Sequence, residues 1–169
     1  FRAISAGLNI LYLHSVKTKE AILNETIVDA FSEIKKQGKA KHLGISTHSN
    51  EPAVIQAIID GSIYDIILTA INFKQDHVNE IKGKIALASE KGIGIIGMKT
   101  MAGAFIDKEK TKPVDCKAAL KWVLQDSNVH TTIPGISNIE QLTENISVME
   151  NLKLTEEEKK HLETARLSA

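Results

Sequence analysis

The sequence predicts an α/β protein with a parallel sheet, because three patterns along its 169 residues agree. Apolar runs of strand length alternate with amphipathic stretches of helix length. The predicted strands begin at intervals of roughly 25 to 35 residues, which is the spacing of a βα repeat. The first run, residues 8–16, is apolar along nearly its whole length, as is typical of a central strand that helices cover on both faces. Five βα units and a terminal helix fit either an open doubly wound sheet or part of a (β/α)8 barrel.

Composition excludes several classes of protein. Lys plus Arg and Asp plus Glu both number 21, so the formal charge is zero and gives no support to a nucleic-acid or membrane-surface role. Cys116 is the only cysteine, which excludes an internal disulfide and a cysteine-rich metal site. No apolar run approaches the ~20 residues of a membrane-spanning helix, and no signal-peptide pattern opens the chain. We therefore expect a cytoplasmic protein, and because residue 1 is Phe, we expect the chain to begin inside a longer gene product.

The first half of the chain contains three predicted strands and two helices. After the strand at 8–16 we expect a helix over about 20–37, a strand over 40–47, a short helix over 52–61 and a strand over 64–72. Gly38 would end the long helix, and Pro52 would lie in the first turn of the short one. The long helix would bury one apolar face, formed by Ile22, Ile27, Ala30, Phe31 and Ile34.

The second half continues the alternation. We expect a helix over 77–92, a strand over 92–99, a loop of about a dozen residues, a helix over 114–127, a strand over 130–136, a helix over 137–151 and a final helix from residue 155. Val78, Ile81, Ile85 and Ala88 would face inward from the first of these helices. Ser137 with Glu140, and Thr155 with Glu158, have the spacing of capping boxes that begin a helix.

Polar side chains follow several predicted strands at their carboxyl ends, where parallel α/β proteins bind ligands. His14 ends the first apolar run, and an imidazole there can donate a hydrogen bond to a carbonyl oxygen or move a proton. The alternative is that His14 makes only a local hydrogen bond and has no role in ligand binding. We expect all of these side chains to line a single rim of the sheet.

The other strand-end residues have similar alternatives. Ser46 and Thr47 could hold an amide or phosphate group, or cap the next helix. Lys99 and Thr100 could meet an anion, or the lysine could simply be solvated. Ser137 begins a helix whose free N–H groups form an anion site, with Gln141, Glu144 and Asn145 on the following turns.

The glycines of residues 92–97 match the dinucleotide-binding pattern G-x-G-x-x-G as text. That pattern requires a strand before it and a helix after it, whereas here the glycines fall within a predicted strand that a loop follows. We therefore expect these glycines to permit close packing rather than to hold a nucleotide.

Four segments taken together resemble the aldo-keto reductase family over essentially the whole chain. They are ILYLHSV, EIKKQGKAKHLGIST, GIGIIGMKTMAG and AALKWVLQDSNVHTTIPGISNIEQLTEN, in the family's order. The Met-Lys turn after the fourth strand resembles a distinct branch, some of whose members carry appended iron–sulfur domains. The resemblance implies that residues 1–169 form a single, partial (β/α)8 TIM-type barrel that lacks the N-terminal βα units.

The resemblance also implies a function. The family reduces aldehydes or ketones by direct hydride transfer from NADP or NAD. Carried over, His14 orients and polarises the substrate carbonyl, and Ser46 contacts the nicotinamide carboxamide with Thr47 beside it. The remaining cofactor contacts would come from Met98, Lys99, Thr100, Gly103, Gly135, Ser137, Gln141, Glu144 and Asn145.

Several positions depart from the family pattern. Leu68 and Asn9 replace a usual glutamine and aspartate, and Gly135 and Gln141 stand where basic residues often grip the 2′-phosphate of NADP. An amide cannot pair bidentately with phosphate as a guanidinium can, so a weakened preference for NADP follows as a hypothesis. The family's proton-donating tyrosine, its lysine and its aspartate come from the first three βα units, which are not in this chain. We therefore expect an inactive fragment whose open sheet edges pair with a missing N-terminal segment, pair with another copy, or stay open.

Two rival functions remain open from the sequence. The chain could be a non-catalytic NAD(P)-binding or regulatory barrel fragment. Alternatively, Lys99 at a strand mouth could form a Schiff base as in an aldolase-like barrel.

Overall fold

A computed structural model describes residues 7–168 of the chain. Helices and strands alternate along it, as the sequence predicts. The elements are β1 (Leu8–Leu13), α1 (Lys19–Ile22), α2 (Glu25–Lys36), β2 (Ala40–Thr47), α3 (Glu51–Ile59), β3 (Ile66–Ala70), α4 (Val78–Glu90), β4 (Gly94–Met98), α5 (Cys116–Leu124), β5 (Thr131–Thr132), α6 (Ile139–Ser147), a 3₁₀ turn (Val148–Glu150) and α7 (Glu156–Leu167). None of these helices combines the length and apolarity needed to cross a bilayer. Phe1, on which the expectation about the start of the gene product rests, lies outside the described residues.

The five strands form one sheet in the order β1-β2-β3-β4-β5. β1 pairs in parallel with β2, β2 pairs in parallel with β3, and β4 pairs in parallel with β5. Consecutive parallel strands joined by helices are the arrangement that the sequence predicts. β1 ends the sheet within the described residues, and Leu8 is 56 % exposed, so the expectation of a central strand buried on both faces is wrong.

The chain divides into two compact units, and β3 and β4 each contribute residues to both. Among the described residues, the first unit comprises 7–69 and 82–95, and the second comprises 70–81 and 96–168. In the first unit the core is built from fully buried branched side chains, which include Leu43, Ile45, Ile55, Ile67 and Ile85. In the second unit a cluster of Phe73, Val114, Ala118, Ala119, Leu154, Leu162 and Ala165 packs α5 against α7.

The predicted helix over 20–37 is two helices rather than one. Leu23 and Asn24 separate them, because the Asn24 side chain accepts a hydrogen bond from the N–H of Ile27 and so begins α2. Ala30, which we expected on the buried face, is exposed, whereas Phe31 is half-buried. Gly38 follows the helix with a φ of 68°, in keeping with the predicted termination.

The predicted capping box at Ser137 is wrong, and the one at Thr155 is confirmed. Asn138 caps α6 instead, since its side chain accepts the N–H of Gln141 at 2.8 Å. At α7, Thr155 accepts the N–H of Glu158 and the Glu158 carboxylate accepts the N–H of Thr155. β5 is also shorter than expected, because only Thr131–Thr132 pair with β4.

The close packing expected of the glycines of residues 92–97 is confirmed for Gly94 and Gly97 and is wrong for Gly92, which has a φ of 78° and would have no atom within 4 Å of an added Cβ. A Cβ at Gly97 would lie 3.1 Å from Ile71 Cγ2 and 3.3 Å from Val123 Cγ1. A Cβ at Gly94 would lie 3.3 Å from Ile66 Cγ1. A loop rather than a helix follows β4, so the strand–turn–helix structure that the dinucleotide-binding pattern requires is not formed at these glycines.

Candidate functional site

In the first unit, His14 and Ser46 form a hydrogen-bonded pair at the carboxyl end of β1. Ser46 Oγ lies 2.8 Å from His14 Nδ1 and accepts the N–H of Ser15 at 2.9 Å. Oγ accepts the hydrogen bond from the N–H of Ser15 and still has its own hydrogen to donate to His14 Nδ1. When Oγ donates in this way, the other ring nitrogen, Nε2, carries the hydrogen of the imidazole. Since His14 is exposed, that N–H can meet a ligand.

A second imidazole extends this polar group. His48 Nε2 lies 3.3 Å from Ser15 Oγ, and Ser15 has a φ of 57°, which only a minority of non-glycine residues adopt. The turn at Ser15 is what brings its N–H to Ser46 and its hydroxyl to His48. Thr47, also buried, donates its hydroxyl to the carbonyl of Ser49 at 3.0 Å.

In the second unit, a cavity of about 740 Å³ opens beside the loop that follows β4. That volume lies within the range of pockets that hold drug-sized ligands. Its wall is formed by Asn72, Lys74, Gln75, residues 99–104, Cys116, Pro134, Gly135, Ser137, Gln141, Glu144 and Asn145.

The loop on this wall carries an unusual concentration of left-handed residues. Lys99, Ala102, Gly103 and Ala104 have φ values of 55°, 50°, 86° and 65°. Each non-glycine residue in this conformation costs of order 1 kcal/mol, and such strain tends to persist where function requires it. Two N–H groups of this loop are already bonded within it, because Ala102 donates to the carbonyl of Lys99 at 3.1 Å and Ala104 donates to that of Met101 at 2.8 Å.

Two polar atoms on the cavity wall are buried without a hydrogen-bond partner. They are the hydroxyl oxygen of Thr100 and the side-chain amide nitrogen of Asn145. An unpaired buried polar group costs about 1–3 kcal/mol, so a rearrangement of the wall that lets a ligand reach and bond to these two atoms would recover that energy. A polar ligand with both acceptors and donors therefore fits this cavity.

The N-terminus of α6 is occupied by the protein's own side chains. Gln141 Oε1 accepts the N–H of Ser137 at 2.8 Å, and Asn138 Oδ1 accepts the N–H of Gln141. These two N–H groups are therefore satisfied internally, which weakens the anion site that the sequence predicts at this helix.

Cys116 lies on the cavity wall at the start of α5. Burial raises the pKa of its thiol, and the nearby carboxylates of Glu144 and Asp115 raise it further. The thiolate is the reactive form, so this environment makes Cys116 a poor nucleophile.

The structure distributes the predicted site residues between the two units. Eight predicted cofactor residues line the cavity of the second unit, namely Lys99, Thr100, Gly103, Gly135, Ser137, Gln141, Glu144 and Asn145. Met98 ends β4 and is not on the cavity wall, and its carbonyl accepts the N–H of Ile71. Ser46 and Thr47 belong to the first unit with His14.

Sequence reasoning missed four polar wall residues, namely Asn72, Lys74, Gln75 and Cys116. Asn72 lies just beyond the end of β3, so the strand-end rule that selected Ser46 could have found it. Among the described residues, side chains of His, Cys, Asp and Glu form no group of three that could hold a metal ion.

Comparison with known proteins decides the family. The model of the aldo/keto reductase family matches residues 6–118 and 116–166. The chain belongs to that family. An uncharacterised oxidoreductase of Schizosaccharomyces pombe is 31% identical over 131 residues, which span 70% of this chain and 41% of the yeast protein.

Solved aldo-keto reductases share the fold. The holo form of an aldo-keto reductase from Bacillus halodurans superposes with a TM-score of 0.71 at 22% identity, covering 97% of this chain and 62% of that one. A glycerol dehydrogenase from Gluconobacter oxydans gives a TM-score of 0.65 at 14% identity, covering 95% and 58%. The chain thus spans between two fifths and two thirds of the length of these relatives.

Proposed function

We propose that this chain is the nucleotide-binding part of an NAD(P)H-dependent aldo-keto reductase that reduces an aldehyde or ketone. The observation that carries the proposal is the cavity of the second unit, since eight residues that the family resemblance assigns to the cofactor line it. The unpaired atoms of Thr100 and Asn145 support the fit, because a dinucleotide offers acceptors to both.

Each part of the wall suits a part of the dinucleotide. Lys99, at the start of the strained loop 99–104, would direct its charge at the pyrophosphate. Glu144 and Asn145 would bind the adenine, whose edge has both donors and acceptors. When bound, the nicotinamide supplies the hydride that adds to the carbonyl carbon.

His14 is the proposed catalytic residue of the first unit. Its Nε2–H donates to the carbonyl oxygen, which withdraws electron density from the carbonyl carbon and orients it. Ser46 holds the imidazole in this tautomer through the 2.8 Å contact at Nδ1. Ser46 is thus a positioning residue here, and its contact with the nicotinamide carboxamide stays a prediction.

The chain alone is proposed to be inactive. The family resemblance assigns a tyrosine, a lysine and an aspartate to βα units outside this chain, and the chain covers 62% of the Bacillus halodurans reductase. General acid catalysis contributes about 10²–10⁴-fold, and its loss would leave negligible turnover. Apolar side chains of α6 and the 3₁₀ turn are exposed, in keeping with a surface that another segment or copy covers.

We propose no strong preference between NAD and NADP. Gly135 and Gln141 provide no positive charge for a 2′-phosphate, and the amide oxygen of Gln141 is engaged with Ser137. Comparable affinity for NADH and NADPH is therefore expected, and a large preference for NADPH would contradict it.

Deuterium transfer tests the proposed reaction. A complete barrel that includes this chain should move deuterium from 4-deuterated NADH to the carbonyl carbon of an aldehyde, and His14→Ala should lower kcat by about 10²-fold or more. The 169-residue chain alone should show negligible transfer. Transfer by the chain alone would overturn the proposed inactivity, and no transfer by the complete barrel would overturn the proposed reaction.

A second function, nucleotide binding without chemistry, is favoured by one observation. The cavity wall is built entirely from residues of the second unit, so binding does not require His14. Binding of NADH by the complete barrel with no reduction of any carbonyl would support this alternative.

A further inference from the structure

Lys74 connects two segments of the second unit. Its Nζ donates hydrogen bonds to the carbonyl of Phe105 at 2.9 Å and to that of Ile106 at 3.0 Å. Lys74 itself is held in a tight turn after β3, since Asn72 Oδ1 accepts the N–H of Lys74 and Gln75 Oε1 accepts the N–H of Asn72. The lysine is therefore anchored at both ends.

The segment that Lys74 holds is a small hairpin, residues 104–114, that follows the strained loop. The N–H of Ile106 bonds to the carbonyl of Lys112, and the N–H of Val114 bonds to that of Ala104. An isolated β-bridge joins Phe105 to Pro113, and the carboxylate of Asp107 accepts the N–H groups at 111 and 112. A two-stranded hairpin of this length has little stability of its own, so contacts from outside it set its position.

The hairpin and the lysine both belong to the cavity wall. Ala104 forms the base of the hairpin and lines the cavity, as does Lys74. Displacement of the hairpin would consequently widen the opening between the turn at 72–75 and the loop at 99–104.

We propose that Lys74 is a positioning residue that pins the hairpin 104–114 at the edge of the cavity and thereby slows both the entry and the release of a dinucleotide. This inference rests on the proposed function for the identity of the ligand. The physical basis is that a charge-assisted hydrogen bond is roughly twice as strong as a neutral one, and Lys74 makes two of them. Loss of the Lys74 hydrogen bonds shifts the hairpin toward positions farther from the cavity, and the dinucleotide then both enters and leaves the cavity faster.

A different role for Lys74 would leave a different kinetic signature. If the lysine acted only as a positive charge that attracts an anionic nucleotide, its removal would lower the association rate, chiefly at low salt, and would not raise it. The sign of the change in association rate therefore separates a pin from a charge.

The experiment uses Lys74→Met with Lys108→Met as the matched control, since Lys108 is an exposed lysine of the same hairpin. Stopped-flow fluorescence with NADH gives the association and dissociation rates. We expect Lys74→Met to raise both by at least tenfold, because the substitution removes both hydrogen bonds of the lysine, and Lys108→Met to leave both unchanged. Lys74→Arg retains N–H donors, so its two rates should lie between those of Lys74→Met and those of the unsubstituted chain.

Amide hydrogen exchange tests the pin without any nucleotide. The N–H groups of Ile106 and Val114 should exchange roughly tenfold faster in Lys74→Met than in the unsubstituted chain, while amides of α7 should be unaffected. Unchanged exchange at both positions, or a lower association rate for NADH, would overturn the inference. Faster exchange in a chain that binds no NADH would retain the pin and overturn the proposed function instead.

Discussion

Ser46 Oγ lies 2.8 Å from His14 Nδ1 and also accepts the N–H of Ser15 at 2.9 Å. The buried Ser46 hydroxyl thus accepts a hydrogen bond from the backbone of the turn after β1 and also fixes the orientation of the exposed imidazole. The same side chain contributes to stability and to the proposed chemistry, and the two contributions can be separated.

Ser46→Ala should destabilise the chain by about 1–3 kcal/mol, because the N–H of Ser15 loses its acceptor. It should also release His14 into a mixture of tautomers, which ¹⁵N chemical shifts of the imidazole report. Ser49→Ala is the matched control, since the Ser49 hydroxyl is buried and has no hydrogen-bond partner. Stability is measured by urea unfolding. An unchanged His14 tautomer in Ser46→Ala would refute the positioning role of Ser46, whether or not the stability changes.

Gly97→Ala should destabilise the chain by about 1–3 kcal/mol, because the new methyl group would lie 3.1 Å from Ile71 Cγ2 and 3.3 Å from Thr132 Cγ2. Gly83→Ala provides the opposite case. Gly83 lies within α4 with no atom within 4 Å of the added Cβ, so alanine there should stabilise by about 0.5–1 kcal/mol. Urea unfolding of both variants checks the pair. If the two substitutions changed the free energy of unfolding equally, the close packing around Gly97 would be refuted.

The ion pair between Asp65 and Lys35 gives a pH dependence of stability. Burial alone would raise the pKa of Asp65, but hydrogen bonds from Lys35 and from the N–H of Leu43 lower it overall. A carboxyl whose pKa is depressed in the folded state stabilises at pH values above its unfolded pKa, and this contribution disappears as the pH falls through the folded pKa.

Asp65→Asn should therefore cost up to about 1 kcal/mol at pH 7, since the two side chains are 35% and 40% exposed and water screens them. Lys36→Gln, at an exposed residue one position beyond Lys35, should have almost no effect. The free energy of unfolding, measured with urea at pH 7 and at about pH 2.5, should show the difference between Asp65→Asn and the unsubstituted chain shrinking at the lower pH. A difference that grows toward low pH would contradict the assignment.

The exposed apolar side chains of α6 and the 3₁₀ turn predict self-association of the isolated chain. Ile139, Ile146 and Met149 are 71%, 61% and 62% exposed. Ile146→Glu should lower the sedimentation coefficient at high protein concentration with little loss of stability, because little buried area is lost. Asn79→Glu adds the same charge to an exposed position of α4 and should change nothing. Identical sedimentation of all three proteins at every concentration would exclude this surface as the source of association.

Most of the sheet could be predicted from the sequence, and the reasons are physical. β2 begins and ends where predicted, because its apolar run is bounded by Gly38 and by the polar residues after Thr47. The break between α1 and α2 was missed because Asn24 lies within an apolar pattern that continues across it. The cap of α6 is misassigned from the sequence because Ser137 and Asn138 both have capping side chains, and only the observed bond from the N–H of Gln141 to Asn138 Oδ1 decides between them.

The candidate site was predictable only where strand ends define it. His14 and Lys99 directly follow strands and Ser46 lies at the carboxyl end of one, so the parallel topology indicates them. Lys74 and Cys116 reach the cavity from a turn and from the start of a helix, and no periodic pattern marks such positions. The contact of Lys74 with the carbonyls of Phe105 and Ile106 depends on tertiary structure alone.

The most direct test of the account is a fluorescence titration of the 169-residue chain with NADH. Because the cavity wall lies wholly within this chain, we expect saturable binding, which Asn145→Leu weakens by at least tenfold and the exposed-site control Asn79→Leu leaves unchanged. No saturable binding by the unsubstituted chain, or equal binding by Asn145→Leu, would contradict the assignment of this cavity to the nucleotide.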